Sequence, residues 1–91
     1  MGRMASSWRF EVTGSFVVRG RGLAVRGNLT GTVEPRRQAA TIHVKGRATR
    51  TVQATRESLQ TGEGPQPVLL LAGVVQAEVP EGAVLTPATA D

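Results

Sequence analysis

The 91-residue sequence has no cysteine and no tyrosine, and its only histidine is His43. Without cysteine, the chain has no disulfide bonds and no thiolate metal site. One histidine does not supply the three or four ligands of an ordinary zinc site. We therefore interpret His43 as a surface residue of a strand, and we expect no metal ion and no other cofactor.

Residues suited to catalysis are also scarce. Nucleophilic catalysis requires a base beside the nucleophile and a third group that orients the base, and His43 has no evident partner near Ser15 or Ser58. The only aspartate, Asp91, is the last residue, and Glu11 falls on the outward side of a predicted strand. The other glutamates are expected at turns: Glu34, Glu57, Glu63, Glu78 and Glu81. We therefore expect a protein that is not an enzyme.

Long apolar segments are missing as well. The N-terminal residues 1–7 lack the continuous apolar run of a signal peptide. The longest apolar stretch, Val68–Ala72, is far shorter than the roughly 20 residues that span a bilayer. We expect a soluble, cytoplasmic protein without membrane contacts.

The chain length fits one domain, because domains typically contain roughly 50–250 residues. Eleven glycines, with frequent valine and threonine, favour strands and turns over helices. We assign residues 8–87 to a single all-β domain, which we expect to be monomeric. Residues 1–7 are then a flexible N-terminal segment, and residues 88–91 a flexible C-terminal tail.

Two long amphipathic strands open this domain. In residues 8–18 the large apolar side chains fall mainly on even positions, and in residues 23–33 they fall on odd positions. Each alternation predicts a strand with one buried face. The predicted inward residues are Trp8, Phe10, Val12, Phe16 and Val18, then Leu23, Val25, Leu29 and Val33. The glycine-containing loop 19–22 between the strands predicts a β-hairpin.

Three glycines interrupt the two strands. Gly14, Gly27 and Gly31 fall at inward positions, where glycine often marks a bulge or the bend of a barrel corner. Ala24 and Arg26 are expected on the outward face of the second strand. Both strands exceed the usual length of about 5–6 residues, and the glycines allow them to coil.

Four more strands follow in the prediction, in residues 41–44, 48–56, 68–72 and 83–86. Their inward residues include Ile42, Val44, Val52 and Ala54, whereas strand 68–72 is expected to be buried on both sides or nearly so. Residues 57–60 form either one helical turn or an irregular loop, and 61–65 form a break. Short strands separated by turns predict a small, closed, six-stranded antiparallel β-barrel.

The formal net charge is +4, with eleven basic residues. This charge favours a polyanionic partner such as RNA, although it also fits a protein whose arginine content is only compositional. Gly20-Arg21-Gly22 is not followed by Gly-Lys-Ser/Thr or by a predicted helix, which excludes a nucleotide-binding P-loop. With three aromatic residues, all predicted inward, RNA contacts would be mainly to phosphate.

Residues 10–33 resemble the second domain of translational GTPases of the elongation factor Tu type, and the family signature lies in Phe16–Val33. The resemblance lies in Phe16, an apolar residue two positions later, the triplet Gly20-Arg21-Gly22, a valine-containing strand and spaced glycines. Weaker similarities at Thr61-Gly62-Glu63, Gly73-Val74 and 81–85 extend it over residues 9–87. Two departures are a Gly27-to-Gly31 spacing that is shorter than in the family and Arg36-Arg37 in place of a Gly-Asp turn. The chain contains no GTP-binding motif.

The resemblance implies a barrel like domain 2 of a translation factor. In that family the barrel contacts the GTPase domain, the ribosome and, in some members, the acceptor end of aminoacyl-tRNA. We therefore expect a stand-alone, non-catalytic binding module that contacts RNA or the ribosome and no nucleotide. The expected phosphate contacts are Arg19, Arg21, Arg36 and Arg37. The alternative is a protein–protein interaction or structural module whose positive charge is incidental.

Overall fold

The computed structural model describes residues 8–88, and the expected flexible segment 1–7 and all but the first residue of the expected flexible tail 88–91 lie outside this range. The described part contains β1 (Trp8–Val18), β2 (Gly22–Gly31), β3 (Gln38–Val44), β4 (Arg47–Thr61), β5 (Gly64–Leu71) and β6 (Val84–Pro87). One 3₁₀ turn, Gln76–Glu78, lies between β5 and β6. The predicted all-β class is therefore confirmed. None of the helical structure in this range is long and apolar enough to cross a membrane.

The six strands form one antiparallel sheet that closes in a ring, in the order β1-β2-β5-β4-β3-β6. Closure is visible in the register, because Ile42 on β3 pairs with Leu85 on β6, and Leu85 pairs with Phe10 on β1. Backbone hydrogen bonds of 2.8 Å from Val12 N–H to the Ala83 carbonyl, and from Gly82 N–H to the Val12 carbonyl, extend the last seam. The predicted closed six-stranded arrangement is confirmed.

The core fills the inside of this ring. Its largest fully buried side chains come from five of the six strands and from the segments that join them: Phe10, Leu23, Ile42, Leu69, Leu71, Leu85, Val12, Val25, Val33 and Val79. No polar or charged residue is buried among residues 8–88. Val52 and Ala54 are buried as predicted, whereas Val44 is only partly buried against the core.

The prediction for the second half of β1 is wrong, because the strand contains a bulge. Val12 pairs with Gly27, but Gly14 pairs with Arg26, so Thr13 is an extra residue. An extra residue reverses the alternation of the faces beyond it. Gly14 therefore shares the outer face with the exposed Arg26, and Phe16 is also turned outward, with 38% of its surface exposed.

Gly27 explains why β1 and β2 approach so closely at this point. It lies opposite Val12 on the inward side, before the bulge. A Cβ atom at Gly27 would lie 1.8 Å from the carbonyl oxygen of Glu11, which is backbone and cannot rotate away. Glycine is therefore required here by the neighbouring strand and not by its own backbone conformation.

Residues 57–60, predicted as a helical turn or a loop, continue β4 as a strand. They pair with β5, which begins at Gly64 instead of Val68, and only Gly62 and Glu63 form the turn. This arm is a two-stranded ribbon, because β2 pairs only with the segment 68–71 of β5. Pro65 and Pro67 lie on its open edge, where proline interferes with further strand pairing.

Candidate nucleic-acid interface

The loop between β1 and β2 presents two of the four arginines predicted to contact RNA, Arg19 and Arg21. The turn is closed by a 2.9 Å hydrogen bond from Arg21 N–H to the Val18 carbonyl. Gly20 and Gly22 have φ values of 81° and 136°, which side-chain-bearing residues rarely adopt. The triplet is therefore a tight turn that places both arginine side chains at the surface.

Arg21 is held by an ion pair with Glu57 of β4. Its guanidinium donates to both carboxylate oxygens of Glu57, and the Nη1–Oε1 distance is 3.3 Å. Both side chains remain partly exposed, so the pair contributes little stability. A phosphate at this position would have to share Arg21 with Glu57.

The other two predicted arginines, Arg36 and Arg37, lie in the loop after β2. This strand has ten residues, so at about 3.4 Å per residue its two ends are roughly 30 Å apart. Arg36 Nε donates to Glu34 Oε1 at 2.6 Å, whereas Arg37 is exposed. The four predicted arginines thus form two separate pairs and not one cluster.

An apolar strip covers the outside of β1, β2 and β5 next to the Arg19–Arg21 loop. It consists of Phe16, Ala24, Leu70 and Val68, which we call the outer strip. Phe16 and Leu70 are the two cross-strand partners of Ala24, and this outward residue is only 3% exposed. The strip continues to Val68, whose partner on β2 is the exposed Arg26.

A shallow groove of about 510 Å³ lies beside the same loop, between β1–β2 and the segment after β5. We call it the loop-end groove. Val17 and Val75 line it and are 70% and 64% exposed. Gln76 Nε2 donates to the Ser15 carbonyl at 3.0 Å, which ties one wall of the groove to the other.

Glu78 holds the segment after β5 in place. The backbone N–H of Val75 donates to Glu78 Oε1 at 3.1 Å, and Arg50 Nη1 donates to both carboxylate oxygens at 2.9 Å. The Val75 hydrogen bond, followed by the Arg50 contact, lowers the pKa of Glu78. The ionised form of Glu78 therefore stabilises this wall of the groove.

Two residues of this surface were missed by the sequence analysis. Phe16 was expected inside, and only the register shift at the bulge places it outside. Arg26 was recognised as outward but not as a neighbour of an aromatic side chain. Both are on one β-hairpin, where Phe16 is two residues from Gly14 and Arg26 pairs with Gly14 across the strands, so a bulge predicted at that glycine would have revealed their shared face.

Within residues 8–88, Arg19, Arg26 and Arg37 form no ion pair, and no three potential metal ligands come together. The surface therefore offers free guanidinium groups beside apolar side chains.

No family model, curated protein or solved structure matches the chain.

Proposed function

We propose that the protein is a non-catalytic binding module that contacts single-stranded RNA through the outer strip and the adjoining arginines. The observation on which this depends is the exposed side chain of Phe16, beside the free Arg26 and near the loop that contains Arg19. Binding of single strands combines base stacking on aromatic side chains with phosphate contacts from basic groups. The hairpin β1–β2 supplies both.

The proposal keeps RNA as the expected partner but assigns the main contact to only part of the predicted arginines. Arg26 shares the outer face of the β1–β2 hairpin with Phe16, and Arg19 and Arg21 lie in the loop that joins the two strands, whereas Arg36 and Arg37 follow the far end of β2. A short RNA that reached all four originally predicted arginines would have to extend along the whole of β2. We therefore assign the main RNA contact to the end of the hairpin that contains the Arg19–Arg21 loop.

We also propose that the closed ring is a barrel of the translation-factor domain 2 type, which would make single-stranded RNA of the ribosome the natural target. Support comes from the Gly20-Arg21-Gly22 turn, which forms a tight hairpin, and from the close approach of β1 and β2 at Gly27. Because folds host many functions, the RNA assignment depends on the surface and is tested separately.

The test is a fluorescence anisotropy titration of a labelled single-stranded RNA and a duplex of equal length, each at several salt concentrations. Each phosphate contact contributes about −0.7 to the slope of log affinity against log salt for single strands. Arg19→Gln and Arg26→Gln should each reduce that slope by about 0.7. Arg37→Gln, which removes the same charge at the other end of β2, is the matched control and should change neither slope nor affinity.

Stacking is tested at Phe16. Phe16→Ala should weaken single-strand binding by about 1–3 kcal/mol, and Phe16→Leu should weaken it nearly as much, since leucine retains apolar area without an aromatic face. The proposal is wrong if duplex RNA binds as well as the single strand. It is also wrong if Arg37→Gln has the same effect as Arg19→Gln, because the binding would then reflect net charge alone.

The loop-end groove favours a second candidate function, protein–protein interaction. Val17 and Val75 are among the three most exposed large apolar side chains of residues 8–88, and exposed apolar patches often mark interfaces. A photo-crosslinking amino acid at Val75 should then capture one defined protein, whereas the same amino acid at the exposed Glu63 should not. Capture that is lost in Val17→Asp would support this function, and equal labelling from both positions would argue against it.

A further inference from the structure

A second surface depression lies on the outer face of β1, β6 and β3, outside the proposed RNA surface. It has a volume of about 420 Å³ and is lined by Arg9, His43, Lys45, Val84 and Thr86. Three of these five side chains contain basic nitrogen, and none is acidic. We call this depression the basic pocket. Its volume falls within the roughly 300–1,000 Å³ that small-molecule sites occupy.

The arginine and the lysine of the basic pocket form no ion pair with a described acidic residue. Within residues 8–88, Arg21, Arg36 and Arg50 each form an ion pair with a glutamate, but Arg9 and Lys45 form none. Two acidic residues, Glu11 and Glu81, lie beside the pocket without lining it. Glu11 pairs with Val84 across the β1–β6 seam, and Glu81 lines a neighbouring depression together with Lys45, but neither glutamate forms an ion pair with Arg9 or Lys45. The positive charges are therefore available to an anion.

Lys45 occupies its position at a conformational cost. It has φ = 54°, and it is the only described non-glycine residue with a positive φ. Lys45 and Gly46 form the two-residue turn between β3 and β4, where both residues have positive φ and asparagine–glycine is the favoured sequence. A lysine in a conformation that suits asparagine better is a reason to look for a function of its side chain.

Hydrogen-bonding groups complete the basic pocket. His43 Nε2 lies 2.9 Å from Thr86 Oγ1, which fixes both side chains across the β3–β6 seam. Gly46 and Gly82 also line the depression, and a Cβ added at either glycine would meet nothing within 4 Å. The absence of side chains there keeps the rim open to a ligand.

We propose that the basic pocket binds a small phosphate monoester, with Arg9 and Lys45 as the charged contacts. Arginine and lysine both bind phosphate oxygens, and charge-assisted hydrogen bonds are stronger than neutral ones. The pocket is larger than a phosphate group, and Val84 gives it an apolar wall for the rest of the ligand. This proposal goes beyond RNA binding and does not depend on it.

The test is an NMR titration of the ¹⁵N-labelled protein with inorganic phosphate and with glycerol 3-phosphate, at constant ionic strength. Saturable shifts should be confined to amides around Lys45, Gly46, Gly82 and Thr86. Acetate serves as the carboxylate control. The proposal is overturned if neither phosphate compound produces saturable shifts there, or if acetate binds as tightly as both.

The variant Lys45→Asn distinguishes binding from folding. Asparagine suits the turn better, so thermal unfolding should shift upward by a few degrees while the affinity for glycerol 3-phosphate falls about tenfold or more, as expected for the loss of a charged contact. Arg9→Gln should weaken binding similarly, and Arg37→Gln should not. Unchanged affinity in both Lys45→Asn and Arg9→Gln would overturn the assignment.

RNA binding by Lys45→Asn distinguishes a small-ligand pocket from an RNA phosphate contact. Lys45→Asn should leave the affinity for single-stranded RNA unchanged, because Lys45 does not belong to the outer strip or the loop-end groove. If RNA affinity falls in parallel with phosphate affinity, the basic pocket is an RNA phosphate contact and the small-ligand assignment is wrong. Failure of RNA binding by itself would leave the pocket proposal unaffected.

Discussion

Replacing Gly27 by alanine should destabilise the protein severely, although the change adds a single methyl group. The added Cβ would lie 1.8 Å from the Glu11 carbonyl oxygen and 3.0 Å from the Cα of Val12. Ordinary contact begins at about 3.4 Å, so β1 would have to retreat from β2 by more than an ångström. Such a movement disrupts ladder hydrogen bonds next to the buried Val12.

The expected loss follows from these contacts. Each ladder hydrogen bond contributes about 1 kcal/mol, and forced overpacking of a well-packed site costs about 1–3 kcal/mol. Gly27→Ala should therefore lower the free energy of unfolding by about 3 kcal/mol, a large part of the roughly 5–15 kcal/mol typical of a domain. For a domain of this size that corresponds to a fall in Tm of about 12–24 °C.

The assay is urea unfolding followed by the fluorescence of Trp8, the only tryptophan, which is 4% exposed when folded. Gly14→Ala in the same hairpin is the matched control. Its Cβ would meet only the flexible side chain of Arg26, at 3.1 Å from Nε, so its stability should remain within about 1 kcal/mol of the parent. A Gly27→Ala protein as stable as Gly14→Ala would refute the proposed packing of β1 on β2.

Three further predictions concern single side chains. The folded-state pKa of Glu78 is lowered, so ionised Glu78 should stabilise the protein fully above its ordinary pKa of 4.5 and lose this effect as the pH falls through the folded-state pKa. The free energies of unfolding of Glu78→Gln and the parent, measured in urea, should therefore become equal in acid. Phe10→Ala should cost about 3–5 kcal/mol in the same assay, because Phe10 is fully buried; a loss below about 1 kcal/mol would contradict its place in the core. Arg21→Gln should cost less than about 1 kcal/mol, since its pair with Glu57 is partly exposed; a larger loss would mean that the pair is structural.

The inward residues of the first strand could be predicted up to Val12, but not beyond. Alternation up to that point reflects local chain geometry, since successive side chains in a strand point to opposite faces. Thr13 has no property that requires a bulge by itself. The bulge depends on how β2 pairs with β1, and this pairing decides that Phe16 belongs to the surface. The alternation of apolar residues therefore did not predict that Phe16, the aromatic residue of the proposed RNA site, lies on the surface.

The β4–β5 arm shows the same limit in secondary structure. Glutamate, leucine and glutamine in residues 57–60 are compatible with a helix, so their local preferences did not predict a strand. Pairing with residues 65–68 of β5 makes residues 57–60 a strand. Strand formation depends strongly on cross-strand neighbours, and these neighbours are known only once the turn has been placed.

The sequence by itself determined the all-β class, the first hairpin and most of the core, because alternation and turn residues act through local geometry. Tertiary structure decided which charges are free. Arg21 meets Glu57, which is 36 residues away in the chain, whereas Arg26 forms no ion pair among residues 8–88. It also decided that Arg9, His43 and Lys45, from β1, β3 and the turn after β3, line one pocket. Such groupings arise from the order in which the strands close the ring, and contacts across that ring leave no periodic pattern in the sequence.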